Sequence, residues 1–91
     1  MIRLAVQVEN KLGLHARAAA KLVRLTTRFS SDILLSREGA GQHIDAKSIL
    51  GVLMLAAARG TRLVFSIKGE DEAKAGNAIK ELFEGKFGEE N

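Results

Sequence analysis

Cysteine, proline, tryptophan and tyrosine do not occur in these 91 residues. Without cysteine there can be no disulfide framework, no thiolate metal site and no cysteine nucleophile. His15 and His43 are the two histidines present, too few for a structural zinc site. Four phenylalanines make up the whole aromatic complement. They fall at core-like positions, so the stacking platform that nucleic-acid binding favours is missing. No apolar run approaches the ~18 residues of a membrane span. The opening MIRLAVQVENK alternates and soon meets charge, unlike a signal peptide. The chain is therefore expected to be cytoplasmic, without membrane insertion, and nothing in it asks for a cofactor.

What is present is an ordinary globular balance, 46% apolar and 27% charged residues. A chain of this length buries roughly 60–65% of the surface its unfolded form exposes, enough for one core and one domain over residues 1–91. The net charge is +3, and its placement says more than its size. Arg17, Lys21, Arg24 and Arg28 carry the only charges between His15 and Arg28, spaced to form one stripe on a helix. The acids gather late, in Glu70, Asp71, Glu72, Glu81, Glu84, Glu89 and Glu90. Such a stripe suits an acidic partner face, or is a solvated helix surface.

Residues 2–8 alternate, with Ile2, Leu4, Val6 and Val8 opposed to Arg3, Ala5 and Gln7, as in a half-buried strand. Glu9 to Leu14 reads as a loop, with Gly13 available for an unusual backbone angle. A helix is predicted over 16–28, its core face made by Ala19, Leu22, Val23, Thr26 and Phe29, with His15 at the N-cap. Strands follow at 33–37 and 42–45, with Ile33, Leu35 and Ile44 inward and Glu38-Gly39-Ala40-Gly41 as the turn. His43 reads as a structural or surface residue. Ser48 is a good N-cap for a short helix over Ile49–Leu53.

Residues 61–68 alternate again, with Leu63, Phe65 and Ile67 inward. The last helix, over 71–84, opens with acids that suit its dipole and packs Ala75, Ala78, Ile79, Leu82 and Phe83. Gly85 and Gly88 are expected to mark a fraying end, and Glu89-Glu90-Asn91 a tail. The order β-α-β-β-α-β-α predicts an α+β fold, an open-faced two-layer β-sandwich. Its four-stranded antiparallel sheet has three helices on one face, with the other face polar and wet.

His15 directly precedes a helix, where the first amide N–H groups lack internal partners and the dipole is positive. An anion attached to its ring would sit in that cradle, and Arg17 can add charge-assisted hydrogen bonds. The same field opposes a positive ring and so favours a nucleophilic imidazole. The local physics suits a side chain that accepts and releases a phosphoryl group, and no carboxylate pair, triad or metal cluster is foreseen beside it. Ser48 is explained by capping alone. A phosphate there would add nearly two negative charges beside the apolar Ile49, Leu50 and Leu53, a run too apolar for one core-facing side and suited to a partner surface.

Gly13-Leu14-His15-Ala16-Arg17 resembles the phosphohistidine motif of the histidine-containing phosphocarrier (HPr) family of the bacterial phosphoenolpyruvate-dependent sugar phosphotransferase system. Lys47-Ser48-Ile49-Leu50-Gly51-Val52 resembles that family's regulatory serine motif, and the likeness runs over essentially the whole chain. The resemblance implies that enzyme I phosphorylates His15 on Nδ1, with Arg17 steadying the phosphate. His15 would pass the group to a IIA domain of a sugar permease. It implies that an HPr kinase/phosphorylase acts on Ser48, that a transcription regulator can read the result, and that Ala20, Lys21, Arg24, Arg28, Ile49, Leu50 and Leu53 form the docking face of a monomer. Such a carrier is covalently modified but is not a free-standing enzyme. Two departures stand out. Ala18 replaces the proline usual after the arginine, which loosens the first helical turn without removing a phosphate ligand. The connection around Glu38–Gln42 is slightly longer, as a hairpin readily tolerates. The competing readings are a regulator working mainly through Ser48, and a nucleic-acid module using the basic helix.

Overall fold

The computed structural model describes residues 1–89. Its elements are β1 (Ile2–Gln7), α1 (Ala16–Thr26), β2 (Asp32–Arg37), β3 (Ile44–Asp45), α2 (Ile49–Met54), β4 (Arg62–Lys68) and α3 (Glu72–Glu84), followed by a 3-10 turn over Lys86–Gly88. The four strands form one antiparallel sheet in the order β1-β4-β2-β3. The predicted fold class and element order are both met.

Alternation along each strand builds the core row by row. Ile2 lies opposite Ile67 and Ile67 opposite Ile33; Leu4, Phe65 and Leu35 make the next row, which Ile44 extends. Leu63, Phe65, Ile67 and Leu35 have no exposed surface, and each such burial contributes roughly 1.5–3 kcal/mol. The helices cover this face with Ala18, Ala19 and Leu22 of α1, Val52 of α2, and Ala75, Ile79 and Phe83 of α3. The other face carries Arg3, Gln7, Arg62 and Lys68, all exposed.

Several boundaries differ from expectation. Helix α1 stops at Thr26 rather than residue 28. The Thr26 hydroxyl donates to the Ala46 carbonyl at 2.8 Å, and the Arg28 and Phe29 amides make three-residue turns back to Leu25 and Thr26. Lys47 Nζ meets the Phe29 carbonyl at 2.8 Å. Phe29 and Val23 are consequently only half-buried. Only Ile44 and Asp45 of the expected 42–45 strand pair with β2, and the Arg37 side chain at the end of β2 reaches α2, its Nη2 donating to the Leu55 carbonyl at 2.5 Å. His43 stays in the preceding loop and is exposed. In α3 the buried face includes Gly76, whereas Ala78 and Leu82 are half-buried. A Cβ on Gly76 would make ordinary van der Waals contact with Ile67 and Ile2, so this position tolerates a small side chain.

The largest departure follows α3. Where fraying was expected, Phe87 is buried at 1% exposure. It stacks edge-on against Phe83, centroids 4.9 Å apart, and Phe83 does the same against Phe65 at 5.7 Å. The turn holds Lys86 and Phe87 in left-handed conformations, φ 54° and 58°. Each such residue costs on the order of 1–3 kcal/mol, which the buried ring offsets. Of the expected tail, Glu89 is held in place, as described below, while Glu90 and Asn91 lie outside the described residues.

Candidate functional site

The loop that delivers His15 is fixed from both sides. The Gly13 amide bonds the Asn10 carbonyl at 3.1 Å, and the Leu14 amide bonds the Ala57 carbonyl at 2.9 Å. Gly13 has φ +67°, and a Cβ there would meet the Ala57 carbonyl oxygen at 2.5 Å. Glycine is therefore required twice over, for conformation and for close approach. Leu14 is buried behind it.

His15 occupies the N-cap of α1 with extended backbone angles, and its side chain makes no capping hydrogen bond. Its carbonyl accepts from the Ala19 amide at 2.8 Å. The ring is 28% exposed and faces a shallow groove of about 800 Å³, whose lining includes Leu12, Ala16, Arg17, Lys21 and Glu89. The sequence reading, which foresaw no carboxylate pair, triad or metal cluster here, named no partner for the ring, and the structure supplies one. Glu89 Oε2 lies 2.5 Å from His15 Nε2. Its other oxygen accepts from Asn10 Nδ2 at 3.0 Å, and the same nitrogen donates to the Gly13 carbonyl at 2.7 Å. The Asn10 amide and then the His15 ring hold the Glu89 carboxyl below its ordinary value. A carboxylate can only accept, so Nε2 carries the hydrogen, and in the neutral ring Nδ1 is the nitrogen that bears the lone pair. Among the described residues, nothing bonds Nδ1.

Arg17 is exposed on the same groove as His15. Lys21 is half-buried rather than free on a solvated stripe, its Nζ donating to the Phe87 carbonyl at 2.6 Å. With Arg24, Arg28, Leu25 and Leu82 it lines a second shallow groove. Ala20 is half-buried. Ser48 caps α2 as expected, its Oγ accepting from the Gly51 amide at 3.1 Å. Ile49, Leu50 and Leu53 are exposed, Leu50 by 66%. Sequence reasoning missed their neighbour Met54, 75% exposed, and Leu12, 68% exposed beside His15. The missed Glu89 had no local signal, since it meets His15 from 74 residues away. Phe87 had one, since Ile79, Phe83 and Phe87 repeat at intervals of four.

Among the described residues no group of three or more His, Asp or Glu is placed to hold a metal ion, and no helix is long and apolar enough to cross a membrane.

A family model described as the PTS HPr component phosphorylation site matches residues 2–85. The chain belongs to the HPr phosphocarrier family. It is 49% identical over 90 residues to the phosphocarrier protein HPr of Xylella fastidiosa (strain Temecula1), covering 99% of both chains. A crystal structure of HPr-C-His from Thermoanaerobacter tengcongensis superposes with a TM-score of 0.93 at 38% identity, over 100% of both chains. A structure of an HPr dimer from that organism gives 0.76 at 38% identity, over 98% of this chain and 100% of that one. Ala18 is wholly buried in the first turn of α1.

Proposed function

We propose that this chain is a single-domain cytoplasmic phosphocarrier of the sugar phosphotransferase system, working as a monomer. His15 accepts a phosphoryl group on Nδ1 from phosphorylated enzyme I and gives it to a IIA domain. The observation that carries this reading is the engagement of Nε2 by Glu89, with Nδ1 left open beside an uncapped helix start. A phosphoryl group on that ring gains from the helix dipole, and Arg17, which lines the same groove, supplies charge-assisted hydrogen bonds. In this reading the chain is a carrier that needs an enzyme on each side.

Ala20, Lys21, Arg24, Arg28, Ile49, Leu50 and Leu53 form the docking face in this reading. Exposed apolar side chains flanked by cations suit a partner surface that is apolar and acidic. Phosphorylation of Ser48 by an HPr kinase/phosphorylase puts charge beside that patch and weakens docking with enzyme I; a transcription regulator is a further reader of the phosphoserine.

The test is incubation with enzyme I and phosphoenolpyruvate. One acid-labile phosphate is expected per chain, absent in His15→Ala. An unmodified wild type beside an enzyme I that phosphorylates a known carrier overturns the proposal. A protein acting mainly through Ser48 would instead take an ATP-dependent, acid-stable phosphate that disappears in Ser48→Ala.

A further inference from the structure

We propose that Glu89 is a positioning residue for phosphoryl transfer, holding a hydrogen on His15 Nε2 so that Nδ1 is presented as the nucleophile. The inference deepens the phosphocarrier reading and rests on it.

Three observations place Glu89 in this role. Its two oxygens divide the work. Oε2 takes the imidazole at 2.5 Å, and Oε1 takes the Asn10 amide at 3.0 Å. Asn10 is itself fully buried, and Nδ2 spends both hydrogens on acceptors, Glu89 and the Gly13 carbonyl. That pattern fixes the amide orientation and makes Asn10 a rigid link between the loop before His15 and the carboxylate. Finally, the turn bearing Glu89 is anchored by the buried Phe87 and by Lys21 Nζ on the Phe87 carbonyl at 2.6 Å. The carboxylate is 13% exposed, so the contact is sheltered from competing water. The other charged groups lining this groove are Lys11, Arg17 and Lys21. All three are cations, and none can accept the Nε2 hydrogen.

The chemistry follows from that placement. The Nδ1 lone pair forms the new bond to phosphorus. The donor's bond to phosphorus breaks, and its electron pair stays with the donor. Nε2 keeps its hydrogen throughout, so the phosphorylated ring is cationic and the Glu89 carboxylate faces that charge. On delivery the P–Nδ1 bond breaks, the pair returns to Nδ1, and the ring leaves as neutral imidazole. Without an acceptor at Nε2, part of the population carries its hydrogen on Nδ1 and cannot attack. A hydrogen bond to an ion is among the stronger ones available to hold the ring.

The experiment is 15N–1H NMR of His15 in the unphosphorylated wild type, Glu89→Ala and Glu89→Gln proteins, with phosphate uptake from enzyme I and phosphoenolpyruvate measured in parallel. The wild type is expected to show a slowly exchanging Nε2–H and a bare Nδ1. Glu89→Ala loses that resonance, and its two nitrogen shifts move towards those of free imidazole. Glu89→Gln keeps one acceptor for the two donors that Glu89 serves, so it weakens the resonance without abolishing it, and it serves as the folded reference. In Glu89→Ala the transfer rate constant falls roughly tenfold, the size of one lost hydrogen bond to a charged group, while KM is unchanged. If the wild type takes up phosphate and Glu89→Ala matches it in ring state and rate, the Glu89 role is overturned and the carrier reading stands. If the wild type takes up none beside an active enzyme I, both fall.

Discussion

At the start of α2 the Gly51 amide is met by the hydroxyl of Ser48, 3.1 Å away, whereas at the start of α1 the His15 side chain leaves the helix uncapped. The two beginnings lie in one small fold and are used differently. Helix α2 is six residues long and buries only Val52, so packing gives it little support and its own cap matters. Helix α1 has eleven residues and buries Ala18, Ala19, Leu22 and Thr26. Tertiary packing stabilises it, so its first amides need not be satisfied by a side chain and can serve an anion. Asp71 supplies a third variation at the start of α3. It does not cap its own helix; its carboxylate accepts from the Ser31 hydroxyl and from the Ser30 and Ser31 amides, tying α3 to the connection after α1.

The largest effect that can break this comparison is His15→Ala. All phosphate uptake from enzyme I is expected to vanish, while stability in urea changes by about 1 kcal/mol or less because the lost contact is one partly exposed side-chain hydrogen bond. Gly13→Ala comes next. It forces a Cβ into the Ala57 carbonyl at φ +67°, and urea unfolding should show a loss of roughly 2–3 kcal/mol. An unchanged midpoint would mean that the loop holding His15 is not fixed as described. Ser48→Ala should lower stability by about 1 kcal/mol through the lost cap, the effect that His15→Ala lacks. Ser48→Asp should keep the cap and slow phosphate uptake by raising KM for enzyme I, measured in the coupled assay.

The smallest effect concerns pH. Hydrogen bonds from the Ser31 hydroxyl and the Ser30 amide lower Asp71 from 3.8 to about 2. A carboxyl depressed in the folded state stabilises it fully above its unfolded value and loses that contribution as pH falls through the folded one. Unfolding midpoints should therefore drop between about pH 4 and pH 2, and Asp71→Asn should be less sensitive to acid over that window. Equal slopes for the two proteins would remove Asp71 from the account.

How much was legible in the sequence follows from how local each cause is. Ile2, Leu4 and Val6, and again Leu63, Phe65 and Ile67, announce their strands by alternation, and the sheet pairs them face to face. Gly13, His15 and Ser48 sit where turn and cap chemistry place them. The end of α1 was misplaced because Thr26 bonds Ala46, twenty residues on, which no helix propensity expresses. The turn carrying Phe87 was hidden behind two glycines, and its left-handed backbone at Lys86 and Phe87 is one that side-chain-bearing residues rarely adopt. Glu89 was unreadable beside His15 because that contact exists only after Phe87 has packed on Phe83. Local pattern thus reveals the loop that presents the imidazole, whereas the carboxylate behind it is a product of the whole fold.

The most direct test of the account is the position of the phosphoryl group on the ring. Protein labelled with 15N at histidine, phosphorylated through enzyme I and phosphoenolpyruvate, should show phosphorus coupling at Nδ1 of His15 with Nε2 still bearing its hydrogen. Coupling at Nε2, or phosphate recovered on a residue other than His15, would contradict it.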